Sequence, residues 1–427
     1  MGRDTTPRLF YGWWILGALF LSGFMVYGGG LYSFVLFITP WTREFGWSRA
    51  ATAGLVSAFW FSAPFILLGA RATKRFGVIR LLAVGITLEA VSVCLLPLAD
   101  ALWQMYVLRT IMGFGKVIFA VCVPVVLATW FRRRFSFALG IAWAGWNLGG
   151  LVLGPATSLI IDRYGWRIAC VAIAGGLVVF ALVPLLRVLR VHSPAQLGLA
   201  RDGARQQQSV ASDTGSEDFD AGNASDEEER TEGTLFRSGA FWLIAFSTVA
   251  YYAALAGMLT HQAALVESAG YSAQIASVIL GSVAGLAAVS GPLFGRLLDR
   301  GHVLRTGIIM QILLFSSVLA LSVVANMPSV MALVLYAVTF GLTLGGADVS
   351  WVALVRRRFP KFSVAQTYSA WYFFEVVTLA LAPIAVGHIF DLTGSYGRTI
   401  LILTLPAGLS FVFLLSAQIS HGRSLDV

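Results

Sequence analysis

Solid apolar runs recur along almost the whole chain, broken by short polar turns that carry arginines. A helix needs about 20 apolar residues to cross a bilayer core about 30 Å thick, and these runs have that length. Twelve spans are read. The first six are 13–38, 50–70, 79–99, 102–129, 136–160 and 167–187; the second six are 239–262, 275–298, 303–325, 329–355, 363–388 and 397–418. In lipid only helices and closed barrels satisfy every backbone group, and unbroken apolar runs do not fit alternating barrel strands. The expected fold class is an all-α integral membrane protein of twelve transmembrane helices in two six-helix bundles.

Composition sharpens this reading. The chain has 427 residues, 58% apolar and only 12% charged, with a mean hydropathy of +0.79. Soluble domains are about half apolar and a quarter charged, so a soluble enzyme and a disordered chain are both excluded. The net charge of +9 does not point to nucleic acid, because the basic residues sit in short clusters between apolar runs. Counted over alternating loops with the central stretch set aside, one side receives 17 Lys and Arg and the other five: Arg43, Arg49, Arg163, Arg167 and Arg398. That bias places both termini and the central loop in the cytoplasm of a cell with the protein in its inner (plasma) membrane. The N-terminal run is too long for a signal-peptide core and is read as the first span. Cys94, Cys122 and Cys170 lie inside apolar runs and read as small core residues.

Between the two groups of spans the composition changes. Residues 189–238 hold 10 of the 21 acids and are rich in Gln, Ser and Gly, a linker unable to bury a core and expected to be flexible. The domain plan is therefore 1–188, a linker 189–238, and 239–427. The halves resemble each other: Arg132-Arg133-Arg134-Phe135 after span 4 recurs as Arg356-Arg357-Arg358-Phe359 after span 10. Pro155 with Asp162 to Arg167 recurs loosely as Pro383 with Asp391 and Tyr396-Gly397-Arg398. Two parallel six-span repeats are the plan of secondary transporters that rock their halves about a midplane site.

Short motifs add a family. Gly69-Ala70-Arg71-Ala72-Thr73-Lys74-Arg75-Phe76-Gly77 between spans 2 and 3, and Gly295-Arg296-Leu297-Leu298-Asp299-Arg300-Gly301 between spans 8 and 9, resemble the loop signature of the major facilitator superfamily. The first copy has Lys74 where the signature has an acid. Tyr11-Gly12-Trp13-Trp14, Phe45-Gly46-Trp47-Ser48-Arg49 and the span 5 stretch Gly149-Gly150…Gly154-Pro155 are similar to the monocarboxylate-transporter branch, of bacterial type. The resemblance implies alternating access, a cavity lined by spans 1, 4, 7 and 10, and gating by Asp299, Arg300 and Arg75; Asp348, on span 10 before Arg356, reads from its position as a hinge or gate residue. Carriers of that branch use an acid and an arginine in span 8 and a lysine in span 1; here those places hold Leu286, Ser290 and Tyr32.

Ionisable residues inside spans cost about 2.5–3.5 kcal/mol each on insertion scales, so each asks for a reason. Lys116 lies mid-span 4 with Arg109 two turns earlier, and the resemblance turns both toward the substrate path. A desolvated ammonium there can hold a carboxylate, and Arg109 adds a planar donor fork. Alternatively Lys116 pairs with Glu375 of span 11 as a structural bridge, or as a pair that substrate or proton breaks. Glu375 is equally a candidate proton carrier, with Tyr372 and Trp371 beside it. Glu89, on outer span 3, reads as a satisfied or snorkelling side chain. His261 at the outer end of span 7, Asn147 on span 5, Tyr32 and Tyr372 complete the candidate substrate contacts.

The leading expectation is a proton-coupled carrier of a small organic anion, most readily a carboxylate, acting as a monomer in the lipid bilayer. An exporter of a neutral or aromatic compound, which the 13 Trp and 12 Tyr would suit, and a non-transporting sensor on the same scaffold are the alternatives. No cofactor or metal is expected. A membrane enzyme is disfavoured by the lack of a zincin helix, a nucleophile elbow or paired catalytic acids.

Overall fold

A computed structural model describes residues 10–48, 51, 54, 55, 58–203 and 235–422. Its helices follow the apolar runs. α1 is Gly12–Phe45, and α2 continues from a 3-10 stretch, Phe59–Leu68, into an α-helical end, Gly69–Phe76. α3 is Val78–Leu98, α4 Leu102–Trp130, α5 Phe135–Tyr164 and α6 Trp166–Val188. The second half comprises α7 Gly239–Ser268, α8 Ala273–Asp299, α9 Val303–Asn326, α10 Val330–Arg358, α11 Val364–Thr393 and α12 Tyr396–Ala417. Among the described residues eleven helices are long and apolar enough to cross a membrane. Of the twelfth span, α2, residues 51, 54, 55 and those from 58 onward are described; most of the linker (204–234), the first nine residues, Arg49 and Arg423 lie outside the described residues. Pro64 inside the 3-10 stretch of α2 supplies no backbone donor, one reason that turn departs from α geometry.

Many helices expose one apolar side, with Trp103, Phe180, Val278 and Leu381 among their outward residues, as lipid-facing surfaces require. Cys94 belongs to that outward set and not to the core, whereas Cys122 and Cys170 are buried.

The two halves meet most closely on the side of the linker and the Arg-rich loops. There α5 and α8 run backbone against backbone: a Cβ at Gly140 would overlap the Gly291 carbonyl, and one at Gly295 would overlap Ser136. Only glycine permits this approach, the small-residue device of membrane helix pairs. Asp299, the last residue of α8, accepts hydrogen bonds from the backbone N–H of Ser136 (2.8 Å) and Phe137 (2.9 Å), the opening turn of α5. It thus satisfies two donors that a helix N-terminus leaves unpaired and places a negative charge at the positive end of the dipole. The guanidinium groups of Arg356 and Arg296 lie over Phe135 and Phe137, each at 4.5 Å.

The symmetric contact is built differently. The end of α2 approaches α11, with Gly69 against Ser369, but Lys74 stands where the other half has Asp299. α11 instead caps itself: Ser363 Oγ accepts from Gln366 N at 3.2 Å, and Gln366 Oε1 accepts from Ser363 N at 3.0 Å. This reciprocal capping box meets locally the need that α5 meets with a residue of the other half.

α1 is not a uniform helix. After Tyr27 it widens into a π-helical segment, Gly28–Tyr32, followed by a 3-10 turn, Ser33–Phe37. Each glycine of this segment faces a different helix: Gly28 meets Gly149 of α5, Gly29 meets Ile173 of α6 and Gly30 meets Glu89 of α3. Side chains also reach carbonyls of this segment: Ser33 Oγ donates to Gly28 O at 2.7 Å, which the Ser33 backbone N–H bonds as well, and Arg109 Nη1 donates to Gly30 O at 2.7 Å. Such π-segments recur at functional positions in helices.

Candidate functional site

The centre of the molecule is organised around Lys116 of α4. The side chain is 2% exposed, and its Nζ donates to the Tyr372 hydroxyl of α11 at 2.8 Å, a bond between the two halves. Around the ammonium stand the rings of Trp60 (α2, 4.7 Å), Tyr27 (α1, 5.1 Å) and Tyr372 (5.4 Å). Second contacts hold these rings in place. Tyr27 stacks on Trp146 of α5 with centroids 3.9 Å apart and planes at 8°, while Tyr368 stacks on Tyr372 at 5.1 Å. The hydroxyls of Tyr27 and Tyr372 approach to 3.5 Å.

Among the described residues no carboxylate lies within ion-pair distance of Lys116. Glu375 and Asp348 surround it only at longer electrostatic range, as does Glu89. The direct Lys116–Glu375 bridge read as an alternative from the sequence is therefore replaced by the Lys116–Tyr372 bond. Glu375 is buried, its Oε2 has no hydrogen-bond partner, and neighbouring Trp371 donates instead to Thr248 at 3.0 Å. Asp348 accepts a hydrogen bond from Tyr252 of α7, which places it in this central group and not at the Arg356 loop.

The energies define what the centre lacks. A cation–π contact is worth about 0.5–2 kcal/mol, and a hydrogen bond to a charged group about 1.5–3 kcal/mol. Removing an ammonium from water costs several kcal/mol even after relaxation. One hydrogen bond and three ring faces leave two ammonium donors to be satisfied, so an anion entering here gains from a cation already stripped of water.

The remaining candidates are dispersed. Arg109 is fully enclosed and spends two of its three nitrogens on structure: Nε donates to Leu55 O at 3.3 Å and Nη1 to Gly30 O, with Phe34 and Phe59 on its faces. It ties α4 to α1 and α2 instead of opening beside Lys116. Tyr32 is 40% exposed and packs on Gly150 of α5. Asn147 donates to Trp143 O four residues back at 3.3 Å, and the His261 ring meets Pro383 O at 3.4 Å within the second half. Arg300 and Arg75 are exposed on the linker side, Arg75 over its neighbour Phe76. Leu286 and Ser290 pack against Gly341 and Gly345 of α10, so these α8 positions serve helix packing.

Glu89 departs most from its sequence reading. It neither snorkels nor finds partners: it is 0% exposed, and both carboxyl oxygens lack a hydrogen-bond partner among the described residues. Tyr27, Trp60 and Tyr252 also escaped the sequence reading. In a chain with 13 Trp and 12 Tyr, type alone does not separate a ring facing a buried cation from an interfacial anchor.

Twelve helical spans in two halves, with a buried lysine bonded from one half to the other, define a polytopic carrier scaffold. The chain belongs to the Major Facilitator Superfamily, whose profile matches residues 15–383. It is similar to monocarboxylate transporter 12 of Rattus norvegicus, 25% identical over 338 residues that cover 75% of this chain and 68% of the relative. It also resembles monocarboxylate transporter 11 of Homo sapiens, 29% identical over 166 residues (37% of this chain, 34% of the relative). A probable anion transporter 4, chloroplastic, of Oryza sativa subsp. japonica is 29% identical over 158 residues (36% and 27%). With several such relatives the match spans only about a quarter to a third of their length.

Proposed function

We propose that the protein is a secondary active transporter of a small organic anion of the carboxylate class, working by alternating access and coupled to protons. The observation that carries this reading is Lys116: a dehydrated cation between the halves, bonded to one tyrosine hydroxyl and to no carboxylate among the described residues. Relatives whose names describe monocarboxylate and anion transporters support the same class.

In this reading an entering carboxylate takes the Lys116 donors and displaces the Tyr372 hydroxyl. Because that hydroxyl belongs to the other half, the exchange alters how the halves are joined. The linker side, held by Asp299 and the α5–α8 glycine seam, is the closed gate, and its opening exposes the anion to the cytoplasm. Glu375, with an oxygen free of partners beside the Lys116–Tyr372 bond, is the proton carrier closest to the cation. Both termini and the linker lie in the cytoplasm of a plasma-membrane protein that works as a monomer.

The test is uptake into proteoliposomes of a panel of radiolabelled carboxylates, with and without an inward proton gradient. Accumulation of at least one member that collapses when the gradient is dissipated is expected. Uptake restricted to neutral or aromatic amphipathic compounds would favour the exporter reading.

A further inference from the structure

Glu89 sits in α3 where α1 and α4 converge, and the environment of its carboxyl group is unusual. It is completely enclosed, and among the described residues neither oxygen meets a donor. An ionised carboxylate without partners is among the costliest groups to bury, whereas a neutral acid is far cheaper. The charged groups that reach it are Arg109 and Lys116, both on α4. From α1 it meets Gly30, and a Cβ there would overlap Glu89 Oε1. The facing stretch of α6 brings Ile173 to the same π-segment, and the one ionisable residue nearby on α6 is the buried thiol of Cys170. The other ionisable residues of α3, Arg80 and Cys94, are exposed toward its two ends.

Arg109 completes the arrangement. Its Nη1 holds the Gly30 carbonyl at 2.7 Å, while its Nη2 is buried without an acceptor. Gly30 thus has an unpartnered carboxyl group on one side and, on the other, a guanidinium with one unused donor. We propose that Glu89 is a proton-binding site of the carrier, linked through Arg109 to the π-helical segment of α1. Protonated, Glu89 is neutral and Arg109 stays on the Gly30 carbonyl. When the proton leaves, the carboxylate attracts the Arg109 guanidinium, which releases Gly30 and loosens the segment Gly28–Tyr32. The proton passes to water; no other covalent bond changes, and the Arg109–Gly30 hydrogen bond gives way to an Arg109–Glu89 ion pair. This rests on the proton-coupled reading for its role in transport, but the proton site itself is testable without any substrate.

The experiment uses the full chain in lipid nanodiscs and infrared difference spectra between mildly acidic and alkaline buffer. The carbonyl-stretch band of a protonated carboxylic acid is expected at the acidic end, with one component lost in Glu89→Gln and kept in Glu375→Gln and Asp348→Asn. A Glu89→Gln spectrum matching the wild type would overturn the proposal. Should Glu89→Gln not fold, Glu89→Asp serves: its component must shift in frequency, and an unshifted spectrum counts against the site. Hydrogen exchange at amides 28–33, corrected for the intrinsic pH dependence of exchange, reads the link to α1. Protection should fall with rising pH in the wild type and stay constant in Glu89→Gln; equal responses in the two would remove the link. Failure of the transport reading would appear elsewhere, as wild-type vesicles that accumulate no carboxylate under a proton gradient.

Discussion

Lys116 and Tyr372, 256 positions apart in sequence, are joined by a 2.8 Å hydrogen bond that crosses between the two halves of the molecule. The bond is local enough to be broken by an anion and central enough for its breaking to be felt by both halves. Among the described residues this is the buried ammonium's only hydrogen bond, and it goes to a neutral hydroxyl.

Replacing Tyr372 with Phe removes that hydroxyl and leaves the ring in place. The anion-free protein should lose about 1–3 kcal/mol, because the ammonium then has no hydrogen-bond partner. The check is thermal unfolding in detergent with and without the best carboxylate of the uptake screen. The carboxylate should raise the melting temperature of Tyr372→Phe more than that of the wild type.

Asp299 supplies both acceptors to the opening turn of α5. Loss of a cap of this kind costs about 0.5–2 kcal/mol, and here the loss falls on a contact between the two halves. Asp299→Ala should slow exchange between the two sides while leaving the half-saturation concentration nearly unchanged, read from counterflow rates across a concentration series. Normal rates with lost affinity would move Asp299 from the gate to the binding site.

The glycines of α1 allow a comparison of two substitutions in one segment. At Gly28 a new Cβ meets the backbone of Gly149, which has no room to move; at Gly30 it meets the end of the Glu89 side chain, which can swing aside. Overpacking typically costs about 1–3 kcal/mol, and rigid opposing atoms put a site at the upper end. Gly28→Ala should therefore lower the melting temperature more than Gly30→Ala. The reverse order would mean that Glu89 is held more firmly than its missing partners imply.

The spans were legible because each is a solid apolar run, and lipid leaves such a run one option. α2 was the least regular, since Pro64 and a 3-10 turn do not announce their pitch in composition. Lys116 stood out because a cation within an apolar run is costly wherever it points. Its surroundings did not, because the rings of Tyr27, Trp60 and Tyr372 come from three other helices whose rotation no single sequence records. Arg109 shows the converse. Its type and its spacing from Lys116 point to substrate, yet its guanidinium holds the Gly30 carbonyl in the π-segment of α1. Glu89 was misread for the same reason: an outer helix by number still has a face turned inward. The sequence singles out Asp299, and the structure places it on the opening turn of α5; the local capping of α11 by Ser363 and Gln366 emerges only when the two halves are compared.

The central claim is that Lys116 anchors the anion. It is tested most directly by the affinity of the purified protein for the transported carboxylate in Lys116→Gln, Lys116→Arg and the Lys116→Gln/Glu375→Gln double variant, with folding confirmed by monodispersity. The anchor requires that Lys116→Gln and the double variant both fail to bind, while Lys116→Arg keeps part of the affinity through its retained charge. Near-normal affinity in a folded Lys116→Gln/Glu375→Gln protein would contradict it, leaving the lysine a structural partner of the charges around it.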